Sequence, residues 1–251
     1  MIILARRQGA LDEASAKLRA ENEAAKRSTD VWTYLLDIND GAAAESVFTA
    51  IRQRINESSG PATDADILVT SAAYIMQGQS SLEASTKVYW DSLEANVVGN
   101  LNLVRAFLAP ETPAIPFSSL TGVAKDTSGA KAPTQQKAAY LASKLAFTRI
   151  MQSLQMEVDQ LEGQPIRVHS FNPGVIYTPA TDKLFEVKSD IFHIPWDDET
   201  LAGGFAVWLA SPAAAFLKGR FVMSTWDVEE LMAQKHKFEE DPEFGVITLK
   251  I

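Results

Sequence analysis

The chain has 251 residues, 46% of them hydrophobic, enough apolar material to close a full core within one domain. A formal net charge of -9 excludes the basic footprint that draws a protein to nucleic acid or to an anionic membrane. The absence of cysteine excludes disulfides, thiolate nucleophiles and cysteine metal sites together, and no stretch is apolar enough to span a bilayer, so a soluble protein with the cytoplasm as its default location is expected.

Short apolar runs alternate with longer stretches of helical period, as in a parallel sheet covered by helices. The first run, Ile2–Ala5, predicts a strand, and its basic pair Arg6-Arg7 follows the apolar residues, the reverse of a signal peptide. A helix is expected over residues 11–25, a strand over 31–37, a helix over 42–58 and a strand over 66–71. Residues 83–108 read as one long helix, 114–118 as a strand, 136–161 as a helix and 166–171 as a strand. A helix over 199–210, a strand over 220–225 and a charged helix over 227–238 complete the chain, with turns at 58–61 and 110–116. With no repeat, low-complexity tract or linker, residues 1–251 read as a single α/β domain of about six strands.

Within the helix over 136–161 lies Tyr140-Leu-Ala-Ser-Lys144, whose polar ends fall one turn apart on the same face. A tyrosine hydroxyl ionises near pH 10, and bringing it to neutrality takes about 4 kcal/mol of selective phenolate stabilisation. A neighbouring ammonium acts with that sign. The spacing alone equally describes a solvated pair on a helix face.

The surroundings separate those readings. Tyr140-Leu-Ala-Ser-Lys-Leu-Ala-Phe-Thr-Arg149 resembles the active-site helix of the short-chain dehydrogenase/reductase family, and Ile166-Arg-Val-His-Ser-Phe-Asn-Pro-Gly174 resembles a later family segment. Further resemblances are Leu36-Asp-Ile38, Asp66-Ile-Leu-Val69 with Ala72, Asn96-Val-Val-Gly99 and Phe117-Ser-Ser119. They cover nearly the whole chain and come closest to fungal-type reductases of secondary metabolism. The fold so implied is a Rossmann-type, doubly wound parallel sheet.

The resemblance implies roles residue by residue. Tyr140 is the general acid/base, and Lys144 depresses its pKa and holds the nicotinamide ribose. Asn96 resembles the asparagine that stabilises a relay water, although a helix asparagine also serves to satisfy a backbone carbonyl. Ser119 resembles the serine that hydrogen-bonds the substrate carbonyl. The chain from Ser119 to Tyr140 is longer than is usual in the family, which leaves Ser128 as its rival. Ser119 is preferred because it ends a strand.

For the cofactor, Ala5-Arg6-Arg7 resembles the second family strand in its NADP form: no carboxylate at Ala5 repels the 2′-phosphate, and Arg6 can pair with it. Asp37 and Ile38 resemble the adenine contacts. Ala72 belongs to Thr70-Ser71-Ala72-Ala73, where the family commonly has Asn-Asn-Ala-Gly. In Pro173-Gly174-Val-Ile-Tyr-Thr178, the backbone at Val175 or Ile176 and the Thr178 hydroxyl resemble the nicotinamide loop. Residues 179–196, with Leu184, Phe185, Ile191, Phe192 and Trp196, suit either a substrate lid over an apolar substrate or a loop folding its aromatics inward.

One family feature is not in this sequence: the first strand and glycine-rich turn that cradle the pyrophosphate. The expectation is of an N-terminally truncated domain. Three origins suit it: an incomplete gene model, a relic, or a sheet re-closed with shifted edges. The leading reading is an NADP-dependent oxidoreductase acting on a small apolar carbonyl or alcohol, as a homodimer or homotetramer. The alternative is a non-catalytic relic or a binding or assembly subunit. The scattered His169, His193 and His236 give no metal site.

Overall fold

A computed structural model describes residues 1–59, 64–75, 80–108, 137–161, 166–177 and 196–247. The chain divides into two compact units, Met1–Ala65 with Val98–Ile115, and Asp66–Val97 with Pro116–Ile251.

The first unit opens with β1 (Ile2–Ala5), α1 (Gln8–Ala24) and β2 (Trp32–Leu35). The β-branched and aromatic residues of the two strands suit a pleated ladder. They pair in parallel with Ile2 opposite Trp32 and Ala5 opposite Leu35, and α1 provides the crossover that a parallel pair requires. The helix α2 (Gly41–Ser59) buries Ala44, Phe48 and Ile51 on one face, at the i, i+4, i+7 spacing of an apolar stripe. It packs on α4 (Gly99–Phe107), where the Phe48 and Phe107 rings meet edge to face at 6.1 Å. Arg52 on α2 closes the end of α4: its Nη2 donates to the Ala106 and Phe107 carbonyls at 2.8 Å each, and its Nε to Asp64 at 2.9 Å. A cation is favourable there because the last carbonyls of a helix lack intrahelical partners.

The second unit contains α3 (Thr86–Leu93), the π-turn over Glu94–Val98 up to Val97, and α5 (Ala138–Val158), against which α3 packs. It also contains β3 (Ser170–Asn172) paired in parallel with β4 (Phe221–Met223). Between these strands in sequence come α6 (Leu201–Ala210) and a 3₁₀ turn over Pro212–Leu217; α7 (Val228–Ala233) and α8 (Lys235–Glu240) follow β4. Phe171 and Val222 from the strands, Phe205 and Leu209 from α6, Leu217, Leu231 and Phe238 form the buried core. The Asp227 carboxylate accepts from the backbone N–H groups of Glu229 and Glu230 at 2.8 and 3.0 Å, capping α7. His169 is 1% exposed, with its Nδ1 3.0 Å from the Leu217 carbonyl. Burial, and secondarily the nearby Arg167 charge, hold its pKa down at about 4 against the opposing effect of that carbonyl.

Several expected elements change. The long helix over 83–108 is interrupted by the π-turn, and the terminal helix over 227–238 is two short helices meeting at Gln234. The segment 66–71 forms no ladder among the described residues, yet it keeps a strand's alternation: Leu68 and Thr70 are buried, whereas Ile67 and Val69 are each 48% exposed. The predicted strand 114–118 lies outside the described residues.

Candidate active site

The helix α5 is rich in Ala, Leu, Met and other strong helix formers, and its buried stripe runs through Tyr140, Ser143, Phe147, Met151 and Val158. Tyr140 is 4% exposed and Lys144 2%. The Lys144 ammonium lies 5.6 Å from the centroid of the Tyr140 ring, within reach of the ring's negative face. A solvated surface pair is therefore excluded: an ammonium this deeply buried must be held by polar company.

Asn96 supplies the link beneath that pair. It sits in the π-turn, is 0% exposed, and spends both hydrogens of its amide: Nδ2 donates to the Tyr74 carbonyl and to Ser143 Oγ, each at 2.9 Å. Its Oδ1 accepts from the Tyr74 N–H at 2.6 Å. Ser143 Oγ in turn donates to the Tyr140 carbonyl at 2.6 Å. A continuous polar path thus runs from the loop at Tyr74, through α3's π-turn, to the backbone of Tyr140. A π-turn re-aims the side chains of a helix at a functional position; here it aligns Asn96 with α5.

The loop after β3 is shaped by three residues. Asn172 Oδ1 accepts from the Gly174 N–H at 2.8 Å. Gly174 has φ +88, a region where a side chain is strained, and a Cβ there would lie 2.5 Å from Asp197 Oδ2. Val175 is joined to Asp197 at both of its peptide groups: its N–H donates to Oδ2 at 2.6 Å and its carbonyl accepts from the Asp197 N–H at 2.9 Å.

In the first unit, Arg6 follows β1 and Asp37 follows β2, at the carboxyl ends of two paired parallel strands. In α/β sheets ligands bind at that end. The Arg6 guanidinium is exposed and, among the described residues, in no salt bridge. Asp37 is exposed and turns its carboxylate to the Asn39 N–H at 3.0 Å. Ile38 is held from behind: its carbonyl accepts from Asn102 Nδ2 at 3.0 Å, and a Cβ on Gly99 would lie 2.7 Å from its Cγ1.

Residues 1–189 match the short chain dehydrogenase family. The chain belongs to that family. Among curated relatives it is 33% identical over 187 residues to "Short chain dehydrogenase/reductase nsrO" of Aspergillus novofumigatus, a match covering 74% of this chain and 62% of that protein. It is 30% identical over 236 residues to "Short chain dehydrogenase/reductase AacuD" of Aspergillus aculeatus, covering 94% of this chain and 75% of that protein. The fold resembles that of L-sorbose reductase from Gluconobacter frateurii, solved with NADPH and L-sorbose, with a TM-score of 0.67 at 23% identity over 88% of this chain and 84% of that one. The chain thus joins the α/β Rossmann-type fold to membership of the short-chain dehydrogenase family, with curated relatives in fungi.

Of the residues singled out in the sequence, Tyr140, Lys144 and Asn96 come together in the second unit. The Asn96 side chain bonds to Tyr74 and Ser143. Ala72 is exposed in the loop before Tyr74. Ser119, Ser128 and Thr178 lie outside the described residues, as do Leu184, Phe185, Ile191 and Phe192 of the candidate lid. Trp196 is described and meets Tyr177 edge to face at 5.3 Å. Sequence reasoning missed Ser143 and Asp197. A signal existed for the first, a small polar residue between Tyr140 and Lys144 on their own face; for Asp197 there was none.

Proposed function

We propose that the protein is an NADP-dependent oxidoreductase that interconverts a carbonyl and an alcohol on a small apolar substrate, with Tyr140 moving the proton. The buried path from Tyr74 through Asn96 and Ser143 to Tyr140, with Lys144 one turn further along α5, carries this reading. Such support is what a proton-transferring group needs, because small misplacements cost large factors in rate.

Bound NADP supplies or accepts the hydride. This chain's residues do the rest. Tyr140 gives its hydroxyl proton to the substrate oxygen in reduction and takes it back in oxidation, while the Lys144 ammonium stabilises the phenolate and holds the ribose. Ser119 hydrogen-bonds the substrate carbonyl. Arg6 pairs with the 2′-phosphate, Asp37 and Ile38 receive the adenine, Ala72 contacts the cofactor, and Val175, Ile176 and Thr178 form the nicotinamide loop. In this reading the enzyme is a cytoplasmic homodimer or homotetramer of fungal secondary metabolism.

Titration of the purified chain with NADPH, followed by nicotinamide fluorescence and by turnover on a panel of apolar ketones, tests it. Tyr140→Phe is expected to lose at least about a hundredfold in kcat, the contribution of a positioned acid, with NADPH affinity retained. A folded wild-type chain that binds no NADPH would overturn the proposal in favour of a non-catalytic relic.

A further inference from the structure

Asp197 is distant in sequence from the loop it touches. Its carboxylate accepts from the Val175 N–H, its own N–H donates to the Val175 carbonyl, and Ile176 and Asp197 form a parallel bridge. The carboxylate occupies the space left by the missing side chain of Gly174. Beside it, the rings of Tyr177 and Trp196 meet edge to face.

One acceptor oxygen and one N–H donor is also what a primary carboxamide presents to a peptide group. The Val175 peptide is already read in that manner by Asp197. Successive residues of an extended chain turn their peptide groups to opposite edges, so the N–H and carbonyl of Ile176 face away from Asp197. Among the described residues neither has a hydrogen-bond partner.

We infer that Asp197 is a positioning residue for the nicotinamide end of the dinucleotide: by saturating Val175 it fixes the loop and leaves Ile176 as the peptide that pairs with the carboxamide. The inference rests on the dinucleotide reading above and, of the two backbone positions named there, Val175 and Ile176, selects Ile176. Asp197 itself touches neither cofactor nor substrate and acts through the loop.

The test compares two probes on the full chain: NADPH, which carries the carboxamide, and adenosine 2′,5′-bisphosphate, which does not. In Asp197→Ala the Kd for NADPH rises roughly tenfold, the equivalent of one charge-assisted hydrogen bond, while the Kd for the bisphosphate is unchanged. Asp197→Asn keeps an acceptor oxygen and recovers most of the NADPH affinity. Amide hydrogen exchange without ligand gives an independent reading: the Val175 N–H loses protection in Asp197→Ala and keeps it in Asp197→Asn. Gly174→Ala displaces the carboxylate by its methyl group and reproduces the alanine pattern, which serves if Asp197→Ala does not fold. Equal weakening of both probes, unchanged NADPH affinity or failure of asparagine to rescue overturns the inference. A folded wild-type chain that binds NADPH no better than background overturns the dinucleotide reading instead, before any variant is compared, and the inference falls with it.

Discussion

Removing the Ser143 hydroxyl measures the polar tie beneath Tyr140. Ser143 Oγ stands between Asn96 Nδ2 at 2.9 Å and the Tyr140 carbonyl at 2.6 Å, and both Ser143 and Asn96 are 0% exposed. In Ser143→Ala one amide hydrogen of Asn96 loses its acceptor where water does not reach, a cost of about 1–3 kcal/mol. The Tyr140 carbonyl loses less, since a helical carbonyl has a second lone pair engaged along the helix. A central value of about 2 kcal/mol lowers the Tm of a chain this long by roughly 4–8 °C. Asn96→Ala removes the same bond together with both bonds to Tyr74, and costs more. In the double variant the shared bond is lost only once, so urea denaturation should find it less destabilised than the sum of the singles by about 1–2 kcal/mol. Additivity to within about 0.5 kcal/mol would show that Asn96 and Ser143 do not interact and would refute the argument that Asn96 holds Tyr140 in place.

Arg52→Ala uncaps α4 and leaves the Asp64 carboxylate, 6% exposed, without its cation; a loss of about 3–5 kcal/mol is expected, read by thermal melting. Arg52→Lys should recover only part of it, because an ammonium lacks the planar fork that reaches Asp64 and two carbonyls together. His169 gives the chain an acid-sensitive step. Its folded pKa of about 4 lies below the ordinary 6.5, so between those values the unfolded chain takes up a proton that the native chain refuses. Stability is therefore fully present above pH 6.5 and falls as the pH drops towards 4, by roughly 3 kcal/mol. Urea midpoints measured across that range should show the slope in the wild type, and His169→Leu should flatten it; an unchanged slope in the variant would remove the assignment.

Much of the fold was legible because it rests on local pattern. The runs Ile2–Ala5 and 31–37 carry strand chemistry whatever they pair with, and β1 and β2 formed within them. The spacing of Ala44, Phe48 and Ile51 marks one face of α2, and the stripe through Tyr140 and Phe147 marks one face of α5. The pattern was misleading where local preference has to yield. Residues 83–108 read as one uniform helix, since no glycine or proline lies within the π-turn at Glu94–Val98 and the single Gly99 after it does not by itself break a helical period; what accompanies the extra width is the commitment of Asn96 to Tyr74 and Ser143.

The sequence by itself determined that this chain belongs to the short-chain dehydrogenase family and sets a tyrosine and a lysine on one helix face, because motif and helical period are properties of neighbouring residues. The tertiary structure alone decided who holds them. Ser143 becomes a tie only when Asn96 arrives from another helix, Arg52 a cap only when the end of α4 reaches it, and Asp197 a brace only when the chain returns to Val175. Each is a polar group taken out of water, and the partner that satisfies it is fixed by how the chain closes on itself, which no run of adjacent residues encodes.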